Sequence, residues 1–596
     1  MSELTRFTAC AGVLALAVAL PVAAQNIDAK EYWLDNGMQV LMVERHEAPT
    51  IMASIFARVG SSNETTGITG ISHLFEHMMF KGTETIGTKD IERDREIMAR
   101  LDALRDELRA EERIMRENLR RGQGKGQHML DPELKTPRYR EIEAEFDKLI
   151  LEQRELIIKD QLDELYSKNG GFFLNAFTSE DVTGYFVRLP KNKIELFMWL
   201  ESDRFSGPVF REFYSERDVV REERRRGVES TPTGLIEEDF RAMFWKSSSY
   251  HWDVIGWSSD LGSITREQAK RYYDTYYAPN NLTMILVGDL EPDKLITMVR
   301  KYFERIPRGE IEPPDVVTLE EQQYGEKRLI AEAETSPTAE VWFHTVAWKH
   351  PDSYPLQVLA GVMNGKTGRL YKSLVEEKGI AKSSSGGGGR MMGGGRLEVR
   401  ANQDSLKYAG AFQVRAEGVS GVRAEQLEEA VYEVIEDLKN NPVPDDELQK
   451  VKNQLRVDNI RFMDMMSGIG MLFYLGTHAA MGDWTEANNN PDKCDRVTAE
   501  DVQRVAKKYF ARNQRNVLII NPKETPDGEG GGEDPRFAQA VQMINSITDP
   551  AQLEQMIGMF STRMDQVEDP EQRERMQQLL DVAGTRLEEL KKDDED

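Results

Sequence analysis

Histidine is scarce in this sequence, with eight in 596 residues, and cysteine is scarcer, with two. Two cysteines exclude a disulfide scaffold. One of them, Cys10, lies in a segment read below as removable, which leaves Cys494 as a lone thiol. Basic charge is also in deficit: 77 Lys and Arg face 103 Asp and Glu, for a net charge of -26 and a pI near 5.0. A general nucleic-acid binder needs a basic face to displace counterions, so that class is excluded. Beyond the N-terminus no run approaches the roughly 18 uncharged apolar residues a membrane helix needs. Apolar material is nevertheless sufficient, at 39% hydrophobic and 8% aromatic. A chain of this length predicts two to four folded units with real cores.

Met1–Gln25 (MSELTRFTACAGVLALAVALPVAAQ) has one Arg, a short apolar run and small residues at Val22-Ala23-Ala24. That pattern predicts a signal peptide over 1–24 and an exported, most simply periplasmic, mature chain with no transmembrane segment. Tyr32 to Arg58 alternates around Asn36-Gly37 and predicts two strands in a hairpin. From about 91 to 166 the composition turns to Arg, Glu, Asp and Leu, broken by Gly122, Gly124 and Gly126. Two long helices joined by a turn fit, as a helical-hairpin insertion, read here as a solvated charged arm. Pro526–Pro535 (PDGEGGGEDP) reads as a flexible acidic linker, followed by short helices that begin at Asp-Pro pairs.

Thr265–Val287 and Thr498–Ile520 align without gaps, with Thr, Glu, Arg, Tyr, Ala and Asn coinciding and an apolar strand following in both. Two copies of one α+β domain are expected. The predicted division is 25–320, carrying the insertion, then 321–525, then a linker and helical tail over 526–596.

The sparse histidines concentrate in His73-Leu-Phe-Glu76-His77. On a helix His73 and His77 stand one turn apart on one side, so both imidazoles can reach one metal ion. Glu76 lies beside them, positioned to take a proton from water without occupying a ligand position. This is the inverted zinc-protease helix. A hydrolytic zinc needs a third protein ligand, and Glu216-Arg-Asp-Val-Val-Arg-Glu222-Glu223 supplies candidates. Glu216 and Glu223 share a helix face, with Glu222 rotated by about 100° from Glu223. One carboxylate can bind metal while another orients a ligating imidazole; spacing alone does not say which.

GITGISHLFEHMMFKGT, LNAFTSEDVTGYF and ERDVVREE together resemble the pitrilysin/insulinase superfamily of inverted-motif zinc peptidases, in its bacterial processing-peptidase-like branch. The resemblance spans about Tyr32 to Lys523. It implies an α+β fold of two related domains, each an antiparallel sheet packed with helices. It implies one Zn2+ per chain on His73, His77 and Glu223, with Glu76 as general base and Glu216 as the carboxylate behind a histidine. Asn175, Ala176, Phe177 and Thr178 resemble the edge strand that pairs with substrate backbone, as an extended peptide adds to a sheet. The implied activity is endopeptidase cleavage of peptides or unfolded segments in an enclosed chamber.

The sequence departs from that pattern in two places. His73 and Glu223 are farther apart than is usual in the family, which the insertion accounts for. In the second half, the Arg and Tyr that stabilise a bound peptide carbonyl in many members are replaced by Val375 and Lys382. The expectation is therefore a metal-bearing subunit of a heterodimer whose partner supplies that pair. The alternatives are a homodimer in which Lys382 or another group substitutes, and a non-catalytic assembly or chaperone-like subunit. The Gly-rich stretch Ser383–Gly395 reads as a flexible loop, and Tyr250-His251-Trp252 as wall of the site.

Overall fold

The computed structural model describes residues 26–123, 132–383, 399–523, parts of 540–561, and 570–593. The expected signal segment, Gly124 and Gly126, residues 384–395 of the Gly-rich stretch and the acidic linker 526–535 lie outside the described residues. Residues 1–331 and 336–520 belong to one unit, and residues 332–335 and 521–596 to a second.

Asn36-Gly37 turns the chain between β1 (Ala29–Trp33) and β2 (Gln39–Glu44). Gly37 takes φ +89°, and the Asn36 amide donates to Phe303 O and Ile306 O. A third strand, β3 (Thr50–Ala57), follows, so the expected pair is a trio. With β4 (Phe172–Thr178), β5 (Thr183–Pro190) and β6 (Leu282–Gly288) they form a sheet of order β1-β2-β6-β3-β5-β4. The sheet is mixed, since β2 and β6 run parallel while its other pairs are antiparallel. The expected antiparallel sheet is antiparallel in each of these pairs but β2–β6.

The second sheet is β7 (Lys327–Ala333), β8 (Thr338–Thr345), β9 (Val399–Ser405), β10 (Gly410–Glu417) and β11 (Asn516–Pro522), in the order β7-β11-β8-β10-β9. This is the first sheet's order without β1. The repeat read in the sequence is visible at its ends. Helices Arg266–Tyr276 and Ala499–Tyr509 each begin with a threonine capping box, at Thr265 and Thr498, and each leads into an inner strand of its sheet, β6 or β11.

Strands β2 and β3 are buried almost throughout, which hides the alternation that normally marks a strand. The cause is cover on both faces. Val40, Met42, Ala53 and Ile55 face the first half's own helices. Leu41, Val43, Met52 and Phe56 face the helix Ile469–Met481, which comes from the second half of the chain. That helix approaches so closely that a Cβ at Gly476 would lie 2.2 Å from the Phe56 ring. The exchange is reciprocal: Phe240 and Phe244, from a helix of the first half, pack on Trp342 and His344 of β8. Each half lends a helix to the other's sheet.

Helices are labelled in chain order: α1 (Ile71–Met78), α2 (Ile91–Arg120), α3 (Pro137–Leu156), α4 (Gln161–Ser167), α5 (Ile194–Arg204), α6 (Phe213–Arg224) and α7 (Gly234–Phe244). The insertion is α2, α3 and α4. Its outer side carries ion pairs Arg93–Glu152, Arg100–Glu145 and Arg138–Glu107, whose register makes α2 and α3 an antiparallel hairpin. It is not a free solvated arm. Ile97, Leu101, Leu104, Leu108, Ile142 and Phe146 join the core of the first half. At its root, Asp94 pairs with Arg211 at 2.7 Å, both side chains with 0% exposure, and Asp94 also accepts from Gln153.

In the second unit, Pro570–Asp593 is helical and starts at proline, as the Asp-Pro signal predicts. Ile544, Ile547, Leu553 and Ala583 form its apolar cluster.

Candidate metal centre

Helix α1 is short, and its position is fixed at both ends by other segments. Its N-cap is Gly70, at φ +85°, where a Cβ would sit 2.5 Å from Ile255 O, so only glycine fits. The Glu64 carboxylate accepts from Gly70 N and Ser72 N, each at 2.8 Å, serving the free amides of the first turn. Asp260 accepts from Gly67 N, Thr69 N and the Thr69 hydroxyl. One face of the helix buries Ile71, Leu74, Phe75 and Met78, with Phe75 against Tyr272, Tyr273 and Tyr277. The remaining face presents His73 and His77, their rings 5.0 Å apart.

Helix α6 brings the carboxylates. Phe213, Tyr214 and Val220 anchor its buried side, which turns Glu216 and Glu223 towards α1. Glu223 Oε2 lies 3.7 Å from His73 Nε2 and 3.6 Å from His77 Nε2. Three ligand atoms, one each from His73, His77 and Glu223, lie within 4.8 Å of one another. Ligands bound to zinc at about 2.0–2.2 Å in a tetrahedron stand roughly 3.4 Å apart. These residues therefore fit zinc with little adjustment, and three protein ligands leave a fourth position free.

Of the carboxylates left open by spacing, Glu222 turns away and accepts from Arg225 and Arg226. Glu216 Oε2 lies 3.3 Å from His77 Nδ1, and its other oxygen meets Lys81 Nζ at 2.6 Å. That arrangement orients His77 with Nε2 towards Glu223. The Nδ1 of His73 is buried and has no hydrogen-bond partner.

Burial lowers His73 to about 4, with His77 adding to the effect, so its imidazole is neutral and available as a ligand. Burial acts on His77 in the same direction, but Glu216, Glu223 and Glu76 outweigh it and raise the group. Burial raises Glu76, while the Thr178 hydroxyl, donating to Oε2 at 2.8 Å, and His77 pull it down. Glu216 is held below its usual range because His77 and Lys81 overcome the cost of its burial.

Strand β4 is the outer strand of its sheet and lies against α1. Asn175, Ala176, Phe177 and Thr178 all sit on it. Thr178 is committed to Glu76 through its hydroxyl, and Phe177 packs 5.0 Å from Phe473. Asn175 is exposed, and its side-chain oxygen accepts from Ala176 N. Tyr250 is buried and donates to Asp181, while Trp252 donates to Ser61 O, so this segment is packed wall. Lys382 is held by Ser336 and Glu417, at 2.6 Å each. His46, His344, His350 and His478 stay apart from the cluster, and His128 lies outside the described residues.

The comparisons with known proteins meet at this site. Residues 39–101, which contain α1, match "Insulinase (Peptidase family M16)", and residues 263–455 match "Peptidase M16 inactive domain". These two matches support the pitrilysin/insulinase superfamily for the chain. Among the proteins it is similar to, the zinc protease PqqE of Helicobacter pylori is 24% identical over 82% of this chain and 92% of that protein. An uncharacterized zinc protease of Bacillus subtilis, YmxG, is 22% identical over 72% of this chain and 82% of its own length. A solved protease from Helicobacter pylori shares the fold at a TM-score of 0.65 and 22% identity, covering 83% of this chain and all of that one. Pitrilysin shares it at a TM-score of 0.59 and 15% identity, over 86% of this chain and 47% of pitrilysin.

Three features of this pitrilysin-like site escaped the sequence reading. Glu64 and Asp260 hold the approach to α1 but stand in no recognisable spacing to it. Lys81 lies inside the quoted motif, one turn beyond His77, and only the structure ties it to Glu216. Arg211 donates to Lys81 O, Thr83 O and Ile86 O while paired with Asp94, so it fastens the segment after α1 to the insertion.

Proposed function

We propose that the chain is a zinc endopeptidase that binds one Zn2+ through His73, His77 and Glu223. The observation that carries the reading is the convergence of those three ligand atoms, from two helices far apart in sequence, beside a carboxylate that is not among them. Zinc held there supplies the Lewis acidity that polarises a scissile carbonyl and makes water acidic. Glu76 accepts a proton from the attacking water and passes it to the departing amine. Thr178 holds the Glu76 carboxyl in place, and Glu216 with Lys81 holds His77. The outer edge of β4 receives the peptide as an added strand, which sets the bond to be cut over the metal ligands.

The reading extends to the whole chain as a signal segment over 1–24, a metal-bearing domain over 25–320, a metal-free copy over 321–525 and a helical tail. Export to the periplasm follows from the signal segment, in keeping with a distantly similar structure described as a periplasmic protease, PqqL of Escherichia coli. We assign the chain to a heterodimer whose second subunit provides the Arg and Tyr absent at Val375 and Lys382. The homodimer alternative is weakened because Lys382 is already occupied by Glu417 and Ser336 of its own chain.

Zinc stoichiometry of the purified chain tests the reading independently of any partner. One zinc per chain is expected, falling to none in His77→Ala with the fold retained by circular dichroism. A folded wild-type chain without zinc would overturn it in favour of an assembly subunit.

A further inference from the structure

Strand β4 carries a feature that zinc chemistry does not use. At its beginning, Phe172 and Phe173 are both exposed, at 44% and 41%, although neighbours on a regular strand point to opposite faces. The cause is a break in register. Phe172 pairs with Arg188 and Asn175 with Phe186, with a shift between them. Phe173 takes φ +57°, a left-handed conformation that a bulky side chain adopts only against strain. The bulge throws both rings to the outside, 5.3 Å apart and tilted by 46°, with the Arg188 guanidinium over the Phe172 ring at 5.4 Å. Bulges of this kind occur beside active sites, where they re-aim side chains.

Two exposed rings at a strained turn cost stability unless something covers them. The occupant follows from continuity. Thr178, at the other end of the strand, touches Glu76. Phe173 is five residues from Thr178, or about 17 Å along an extended strand. An extended peptide paired along β4, with its reacting bond beside Glu76, spans the same distance in about five residues.

We infer that Phe172 and Phe173 form an apolar subsite for a bulky side chain of the peptide, five or six residues from the scissile bond. The inference rests on the peptidase reading and deepens it. The substrate class becomes extended peptides with at least six residues on one side of the cut and an aromatic or branched aliphatic residue at that remove. Shorter peptides forgo the contact. Bulk preference near the bond and bulk preference at this distance are then separate properties, set by different residues.

The test uses the zinc-loaded full chain carrying Glu76→Gln, so that peptide stays intact. Probes are labelled peptides rich in Thr and Ser that end in a hydroxamate, which fixes the register at the metal. A single Phe is moved from one to eight residues away from it, and a second series carries the hydroxamate at the other end. Affinity is expected to peak about tenfold at the fifth or sixth position in one series. Phe172→Ser with Phe173→Asn should flatten that peak; asparagine tolerates the left-handed backbone, so the variant keeps its fold and its zinc. Phe173→Leu should retain the peak. A flat scan in the parent chain, or a peak that survives removal of both rings, overturns the subsite while leaving the zinc site standing. Equal binding of hydroxamate and plain amide probes overturns the metal reading and, with it, the register that defines the subsite.

Discussion

The two halves of the main unit share a strand order and differ in what occupies one slot. After β3 the first half inserts α1, with two histidines and a glutamate on its open face. After β8 the second half inserts Ser353–Met363, whose buried residues include Leu356, Val358, Leu359, Val362 and Met363. The same frame therefore holds the helix of the candidate metal centre in one copy and a core helix in the other. The neighbouring elements differ in step: α6 brings Glu216 and Glu223 to the site, whereas the two buried residues of Asp445–Asp464 are Leu448 and Met463. Chemistry here is a property of a few side chains on a frame that folds with or without them.

The sharpest way to break the comparison is to change one residue in each slot. Glu76→Gln removes the proposed general base without removing a proposed metal ligand. Peptide hydrolysis by the chain with its proposed partner should fall by about 10²–10⁴ in kcat/KM, with zinc still at one per chain by atomic absorption. Leu359→Ala in the second half should cost about 2–5 kcal/mol of unfolding free energy and leave both zinc and kcat/KM near their original values. A loss of zinc in Leu359→Ala would show that the metal-free copy is more than a support.

Much of this asymmetry was legible in advance. His73, Glu76 and His77 announce themselves because histidine is otherwise rare, and the repeat shows because its capping threonines and inner strands recur at one offset. The exchange of helices was not legible. Nothing in Ile469–Met481 says that its apolar surface belongs on the other sheet, and burial of β2 and β3 on both faces erases the alternation that would have exposed the third strand. The insertion misled for a different reason. Its charges dominate its composition, yet Asp94 and Arg211 are buried together, and a buried ion pair looks the same in sequence as two surface charges.

That pair gives the next test, since the second half has no such insertion among the described residues. Arg211→Met leaves Asp94 buried with only Gln153 as a partner and releases three backbone carbonyls just after α1. A loss of about 3–5 kcal/mol is expected from stranding the charge, measured by urea unfolding of the zinc-free chain. Adding Asp94→Leu should recover most of it, because the uncompensated charge disappears. If the single variant is as stable as the parent, the insertion is not fastened at this point.

The smallest expected effect compares the two slots at their N-termini, where each helix meets an acidic residue in a different setting. Burial without a cation raises Glu64 to about 8, against the pull of the Ser72 and Gly70 amides. Asp352, which stands at the N-cap position of Ser353–Met363, is also raised by burial, but Lys508, Tyr509 and Arg504 more than offset it and hold the carboxyl low. The linkage signs are opposite. A folded Glu64 keeps its proton where the unfolded chain has lost it, so its contribution is complete below about pH 4.5 and disappears as pH rises through about 8. The contribution of Asp352 is complete above the ordinary carboxylate range and disappears as pH falls below it. In the zinc-free chain, the difference in urea midpoint between parent and Glu64→Gln should therefore shrink from pH 5 to pH 8. For Asp352→Asn the difference should hold constant over that range and narrow only towards pH 3. Subtracting each variant from the parent removes the opposing contribution of His73, which titrates near 4 in both. Parallel parent and Glu64→Gln curves across pH 5–8 would mean that Glu64 is already ionised in the folded chain, and that both slots begin on a carboxylate of the same kind.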